Sequence, residues 1–130
     1  MAPFFMLLHT AVVASFLMGI HPESVSPTDP EVLQAADYAI GLHNLLNNYT
    51  YAFKVTAVKL ADGQIFPPAR VMYKMTVEVG QTVCENKPNI TLTHCKLWNS
   101  VGVKMMTCDF VVLTVPHTHI PKRLLKDQCN

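Results

Sequence analysis

The sequence predicts an α+β fold, in which one long helix packs on an antiparallel sheet of four or five strands. Three observations predict it. A single stretch repeats apolar residues at helical spacing, the segments that follow alternate apolar and polar residues, and residues that favour turns separate these segments. One helix followed by a run of strands is typical of the α+β class.

The first 20 residues form an apolar run that is interrupted by a few polar residues such as His9 and contains no Lys or Arg. It is shorter than the roughly 20 apolar residues that span a bilayer, so the sequence favours a signal peptide over a permanent anchor. Cleavage is expected near Gly19 or a few residues later. We therefore expect a secreted, extracellular protein with a signal peptide over residues 1–20, a flexible segment over 21–28 and one domain over 29–130.

The helix is predicted to begin at Asp29-Pro30. Thr28 or Asp29 can cap free backbone N–H groups, an early Pro suits the first turn, and Glu31 is placed to bond back to the start in the manner of a capping box. Apolar residues recur every three or four positions for about five turns. The helix should end near Asn47-Asn48, where the period changes to two.

Four segments then read as strands. The first begins at Tyr51 and is expected to break at Ala61-Asp62-Gly63 and again at Pro67-Pro68. The clearest strand covers residues 71–81, with its apolar residues on one side. A third fits residues 103–115, and after a turn over residues 116–121 the last can return over residues 122–129.

The chain contains four cysteines, all in its last 47 residues: Cys84, Cys95, Cys108 and Cys129. An even number in a short chain with a secretory leader indicates a disulfide framework. No Cys-x-x-Cys pair of the kind used by zinc or redox sites is present. The spacings favour two local loops over nested pairing.

Charge divides the chain into unlike parts. Four acidic residues and no Lys or Arg precede Lys54, whereas the remainder carries an excess of five positive charges. Either both parts simply face solvent, or the basic part binds an acidic or anionic partner. The cations are too sparse for a nucleic-acid footprint, so no nucleic-acid partner is expected.

Two triplets fit the acceptor pattern for N-linked glycans, at Asn48 and Asn89. Each falls at a predicted turn, and in a secreted chain an exposed acceptor of this kind is commonly used. The alternative is that these triplets occur by chance and carry no glycan.

Three segments together with the cysteines resemble the type 2 cystatin family. They are residues 36–41 with Asn44 in the helix, residues 77–84 at the end of the central strand, and Val115-Pro116 between the last two strands. The resemblance covers the chain from about residue 29 to its end. It implies a helix cradled by a curved sheet, disulfides Cys84–Cys95 and Cys108–Cys129, and a protein that blocks papain-like cysteine proteases without being an enzyme or needing a cofactor.

Members of the family insert a wedge of three parts into the protease: an amino-terminal segment with Gly, a hairpin loop of pattern Gln-x-Val-x-Gly, and a second loop with Pro-Trp. This sequence departs from each part. The glycine nearest to the expected position in the amino-terminal segment is Gly19. The family's first loop falls on a longer loop here, with two prolines and with Arg where Gly is expected: Gln64, Ile65, Phe66, Pro67, Pro68, Ala69 and Arg70.

In the second loop, Pro116 matches the family pattern but His117 stands in place of Trp. Loss of such an anchor predicts weak binding of papain-like proteases, because a buried Trp often contributes about 2 kcal/mol or more. Asn48 aligns with the Asn through which some members inhibit legumain, but the acidic residue beside it is missing. A glycan on Asn48 would also block that activity.

Two kinds of function therefore stay open. One is a protease inhibitor of weak or altered activity, and the other is a non-inhibitory extracellular binding protein, as in the divergent reproductive-tract branch that the sequence resembles. His117 and His119 are two residues apart and could both bind a metal ion, but the sequence favours an exposed loop pair, so no metal is expected. A monomer is expected, with a dimer formed by strand exchange as the alternative.

Overall fold

The computed structural model describes residues 22–99 and 102–130, so the predicted signal peptide and Gly19 lie outside the described residues. The described residues contain one α-helix and five strands. Across the described ranges, no helix is long and apolar enough to cross a membrane. The elements are β1 (Glu23–Ser24), α1 (Pro30–Leu46), β2 (Tyr51–Phe66), β3 (Arg70–Glu85), β4 (Met105–Thr114) and β5 (Arg123–Cys129).

The strands form a single antiparallel sheet in the order β1-β2-β3-β4-β5, and α1 packs against it. The predicted fold class is therefore confirmed. The first strand, β1, was not predicted: it lies in the segment expected to be flexible and pairs Glu23 with Gly63 and Ser24 with Asp62. A two-residue strand without alternation leaves no pattern in the sequence.

The expected break at Ala61-Asp62-Gly63 is wrong. β2 runs through these residues, and each of them pairs with β3. Residue types that favour turns do not end this strand because a regular ladder on the neighbouring strand continues on both sides of them. Three register shifts between Tyr51 and Leu60 instead make the earlier half of β2 irregular.

Asp29 caps the helix, as predicted: its carboxylate accepts a hydrogen bond from the backbone N–H of Glu31 at 2.8 Å. The capping-box role expected for Glu31 is wrong. With Pro30 as the first helical residue, Glu31 is the second, one position short of the residue that bonds back in a capping box. Its side chain instead contacts His117.

The core lies between one face of α1 and the inner face of the sheet. Alternate residues of β3 and β4 point inward, so that Met75 and Val77 meet Phe110 and Val112 beneath the helix. Helical spacing supplies the opposite side of the core with Val32, Ala35, Ala36, Ala39 and Ile40, all fully buried.

Asn44 joins the helix to the sheet through two hydrogen bonds to one residue. Its side-chain amide donates to the carbonyl oxygen of Phe53 at 2.8 Å, and its carbonyl oxygen accepts from the N–H of Phe53 at 3.0 Å. Asn44 is 3% exposed, and Phe53 lies at a register shift of the ladder. The Asn44 side chain therefore supplies hydrogen-bond partners to the backbone N–H and C=O of Phe53, which are too buried to bond to water instead.

Both disulfides form the local loops that the family resemblance implies. Cys84, near the end of β3, pairs with Cys95, which follows a short 3-10 turn at Leu92–His94. Cys108 of β4 pairs with Cys129 of β5, directly across the ladder. Each bond lies at a distance along the strands from the tips of the two main hairpins.

We expect Asn44→Ala to lower the free energy of unfolding by about 2–4 kcal/mol, because it leaves the buried N–H and C=O of Phe53 without partners. Leu46→Ala is the matched control, since Leu46 is 67% exposed at the end of the same helix. Urea unfolding followed by circular dichroism measures both. Equal stability of the two variants would contradict the assigned role of Asn44.

Candidate functional site

The hairpin between β2 and β3 ends in a short turn, which we call the first tip (residues 67–69). Phe66 pairs with Arg70, so only Pro67, Pro68 and Ala69 lie outside the ladder. The loop expected over residues 64–70 is therefore shorter than predicted. Gln64, Ile65 and Phe66 belong to β2, and Arg70 opens β3.

The first tip and its flanking residues are exposed and largely apolar. Ile65 is 67% exposed and Phe66 is 40% exposed, followed by two prolines that fix φ and stiffen the turn. The exposed side chain of Arg70 adds a cation beside them. The tip is thus largely apolar, stiffened by its two prolines and bordered by a cation.

The hairpin between β4 and β5 ends in a longer loop, the second tip (residues 115–122). Two hydrogen bonds of Thr118 shape it. Its hydroxyl donates to the carbonyl oxygen of Val115 at 2.7 Å and accepts from the N–H of Ile120 at 3.3 Å. His117 has a φ of 62°, a left-handed conformation that residues other than Gly adopt infrequently.

His117 is turned toward the start of the helix. Its Nδ1 lies 3.1 Å from Oε1 of Glu31, and its backbone N–H donates to the same oxygen at 3.3 Å. The His117 side chain is 84% exposed, whereas that of Glu31 is 13% exposed. Glu31 of α1 therefore holds the second tip against the helix through His117, the residue that stands where the family pattern has Trp.

The two tips lie side by side at one end of the sheet. Val71 of β3 pairs with Thr114 of β4, which places the start of β3 beside the beginning of the second tip. Arg70 lines one shallow cleft together with Ile120, Pro121 and Arg123. Sequence reasoning placed both tips on hairpins, and the structure brings them together.

The glycan acceptors lie at the other end of the sheet. Asn48 precedes β2 and Asn89 follows β3, whereas the first tip joins the far ends of these two strands. Both asparagines are exposed at turns. Glycans at these positions would leave the tips uncovered.

His117 and His119 are both exposed in the second tip. Among the described residues, a group of three side chains spaced to hold a metal ion occurs at His43, Asp127 and Cys129. Cys129 is bound in a disulfide, so its sulfur is not available as a thiolate ligand. That group therefore offers only His43 and Asp127 as ligands.

A buried polar cluster at His43 was missed by sequence reasoning. Nδ1 of His43 lies 2.6 Å from Oδ1 of Asp127, and its Nε2 lies 2.9 Å from the hydroxyl of Tyr49. The order hydroxyl, imidazole, carboxylate is that of a catalytic triad, but His43 is 5% exposed beneath the sheet. The cluster ties α1 to β5. Its one sequence signal is that His43 continues the helical spacing of the core.

Burial and, to a smaller extent, the negative charge of Asp127 raise the pKa of Tyr49. Because the folded protein favours the neutral phenol, the associated stability is present below the ordinary tyrosine pKa of about 10 and is lost as the pH rises through the higher folded value. The pKa of Tyr73 is also raised, mainly by burial and to a smaller extent by the negative charges of Asp29 and Glu31.

The fold and the site define a binding scaffold that presents two hairpin tips at one end of a sheet. Residues 21–117 match the Cystatin domain family. The chain is 32% identical over 117 residues to a cystatin of Oxyuranus microlepidotus, a match that covers 86% of this chain and 79% of the relative. The chain belongs to the cystatin family, whose members are inhibitors of cysteine proteases and not enzymes.

Human proteins provide two further comparisons. Cystatin-F of Homo sapiens is 30% identical over 104 residues, which cover 77% of this chain and 70% of that protein. The crystal structure of dimeric human cystatin F superposes with a TM-score of 0.77 at 26% identity, over 85% of this chain and 86% of the other. These matches confirm the type 2 cystatin fold that the sequence predicted.

We expect Asp127→Asn to lower the pKa of Tyr49 toward, but not to, its ordinary value of about 10, because burial is the larger cause and remains. A titration of phenolate absorbance measures this pKa, and the Tyr49→Phe variant identifies which transition belongs to Tyr49. An unchanged Tyr49 transition in Asp127→Asn would contradict the proposed influence of the carboxylate.

Proposed function

We propose that this chain is a secreted cystatin whose inhibition of papain-like proteases is weak. The observation that carries the proposal is the second tip, where His117 stands in place of the family's Trp and is held against Glu31. The imidazole of His117 is exposed, but it is smaller and more polar than an indole and therefore offers less apolar area to a protease cleft. Loss of a buried Trp often costs about 2 kcal/mol, which is roughly thirtyfold in affinity.

The first tip supports the same proposal for a different reason. A wedge must be narrow enough to enter the protease cleft and must not expose a charge that the cleft cannot pair. Here Pro67 and Pro68 add ring side chains to the turn, and the exposed Arg70 stands where a residue without a side chain would allow close approach. The cost of desolvating Arg70 opposes insertion.

Secretion is proposed from three features that agree. The apolar run over residues 1–20 has the length of a signal peptide, four cysteines form two disulfides, and both glycan acceptors are exposed. We propose that the mature protein keeps a short segment over residues 21–28 and the domain over residues 29–130, with glycans on Asn48 and Asn89.

A second candidate function is a non-inhibitory extracellular binding protein, of the kind found in the divergent reproductive-tract branch of the family. Departure at both tips favours it, because a scaffold that keeps its core and changes its contact residues suits another partner. We propose a monomer in solution. A dimer formed by exchange across the β2–β3 hairpin is the alternative, and human cystatin F is dimeric in its crystal structure.

We expect the oxidised, glycosylated protein to inhibit papain and a papain-like cathepsin only at concentrations well above the nanomolar range, and not to inhibit legumain. Steady-state inhibition assays with active-site-titrated proteases measure this, with an inhibitory cystatin as the positive control. Nanomolar inhibition of papain would contradict the proposal. Complete inactivity against all three proteases would favour the binding-protein alternative.

A further inference from the structure

The two hairpins that carry the tips have an unusual distribution of charge. Residues 63–77 and 110–126 contain no Asp or Glu, yet they hold five of the ten Lys and Arg residues of the chain. The nearest acidic residues along the sequence are Asp62 and Glu78 for the first hairpin, and Asp109 and Asp127 for the second. The five cations are Arg70, Lys74, Lys122, Arg123 and Lys126.

Strand register places four of these cations on one face of the sheet. In β3 and β4 the alternate residues Tyr73 and Val112 are buried under α1, so Met72 and its partner Leu113 point to the outer face. Leu113 pairs in turn with Arg123. Arg70 lies two residues before Met72 in β3 and therefore points to the same face. Further along this face, Val111 pairs with both Lys74 and Lys126.

Exposed apolar side chains lie among these cations. A shallow groove beside the first tip is lined by Phe66, Pro67, Pro68, Met72, Leu113 and Leu125. Leu125 is 50% exposed and Ile120 of the second tip is 54% exposed, in addition to Ile65. Apolar groups of this size, grouped at one end of a protein and bordered by cations, indicate a contact surface.

We propose that this surface, formed by the two tips and the adjoining outer face of the sheet, docks onto the anionic phospholipids of a membrane. Phe66, Ile65 and Ile120 would enter the interface while the Arg and Lys side chains contact lipid phosphates and carboxylates. The proposal is independent of protease inhibition.

The arrangement favours a lipid surface over a single acidic peptide for two reasons. The cations are distributed over two strands and a loop, on either side of β4, which suits a plane of negative charge better than one extended chain. The apolar residues lie at protruding tips, where they can enter a bilayer together. The exposed acceptors Asn48 and Asn89 lie at the opposite end, so glycans there would not block the approach.

Acidic residues offset the cations farther from the tips but not those nearest to them. Glu31 lies beside the second tip, but it is mostly buried and faces His117. On the outer face, Asp62 and Asp109 line one cleft with Lys74 and Lys126, on the side away from the tips. The end of the sheet that carries Arg70 and Arg123 is left positive.

The test is a sedimentation assay with the protein recovered from the medium of expressing cells. Vesicles of phosphatidylcholine alone are compared with vesicles that contain phosphatidylserine, at low and high salt. We expect binding only to the phosphatidylserine vesicles, with weakening at high salt because exposed charges are screened. One cation near such a surface contributes about fivefold in affinity, so Arg70→Gln with Arg123→Gln should weaken binding roughly thirtyfold.

The matched control removes the same charge from the other end of the molecule. Lys87 and Lys96 are exposed and lie near the Cys84–Cys95 disulfide, so the double variant Lys87→Gln with Lys96→Gln should bind within about threefold of the native protein, through the loss of general charge alone. Phe66→Ser should weaken binding about fivefold at unchanged charge. Circular dichroism verifies that each variant is folded.

Three results would overturn the proposal. The first is absence of binding to phosphatidylserine vesicles, and the second is equal binding by the two double variants. The third is binding to polyglutamate, sensitive to Arg70→Gln with Arg123→Gln, without binding to vesicles. That result would assign the surface to an acidic polypeptide instead.

Discussion

Burial of one face of α1 against the inner side of the sheet is the interaction on which the rest of the structure depends. Val32 and Ile40 of the helix meet Phe53, Val77 and Phe110 of the sheet, and all five are 2% exposed or less. Because strand side chains alternate, this contact fixes the register of β3 and β4, since a slip of one residue would expose the core face. The same alternation sends Met72, Leu113 and the nearby cations outward.

The scaffold and the tips are held by different parts of the chain. Cys84–Cys95 closes the end of the molecule opposite the tips, and Cys108–Cys129 joins β4 to the end of β5, away from the second tip. Asn44 and the His43 cluster tie the helix to the sheet from beneath. The tips can therefore change in sequence without loss of the core, and the family fold does not determine what they bind.

Sequence reasoning predicted the elements whose signals are local or strongly periodic. Asp29 and Pro30 start the helix, and Asn47 follows its last residue, because capping and turn preferences act over a few residues. It failed where distant contacts decide. Glu31 bonds to His117, 86 residues away, and Ala61-Asp62-Gly63 stays in β2 because β3 pairs with it. His43 contacts Asp127, which lies 84 residues away, so helical spacing indicates that His43 is buried but not which residue it meets.

We propose that the scaffold is intact and that the changes at the two tips weaken protease binding. The most direct measurement is the inhibition of papain by a grafted variant, with residues 64–70 replaced by a Gln-x-Val-x-Gly turn and with His117→Trp. Our account predicts a gain of at least thirtyfold in affinity over the native protein, since the Trp anchor alone is worth that much. A folded, oxidised graft that inhibits papain no better than the native chain would contradict it.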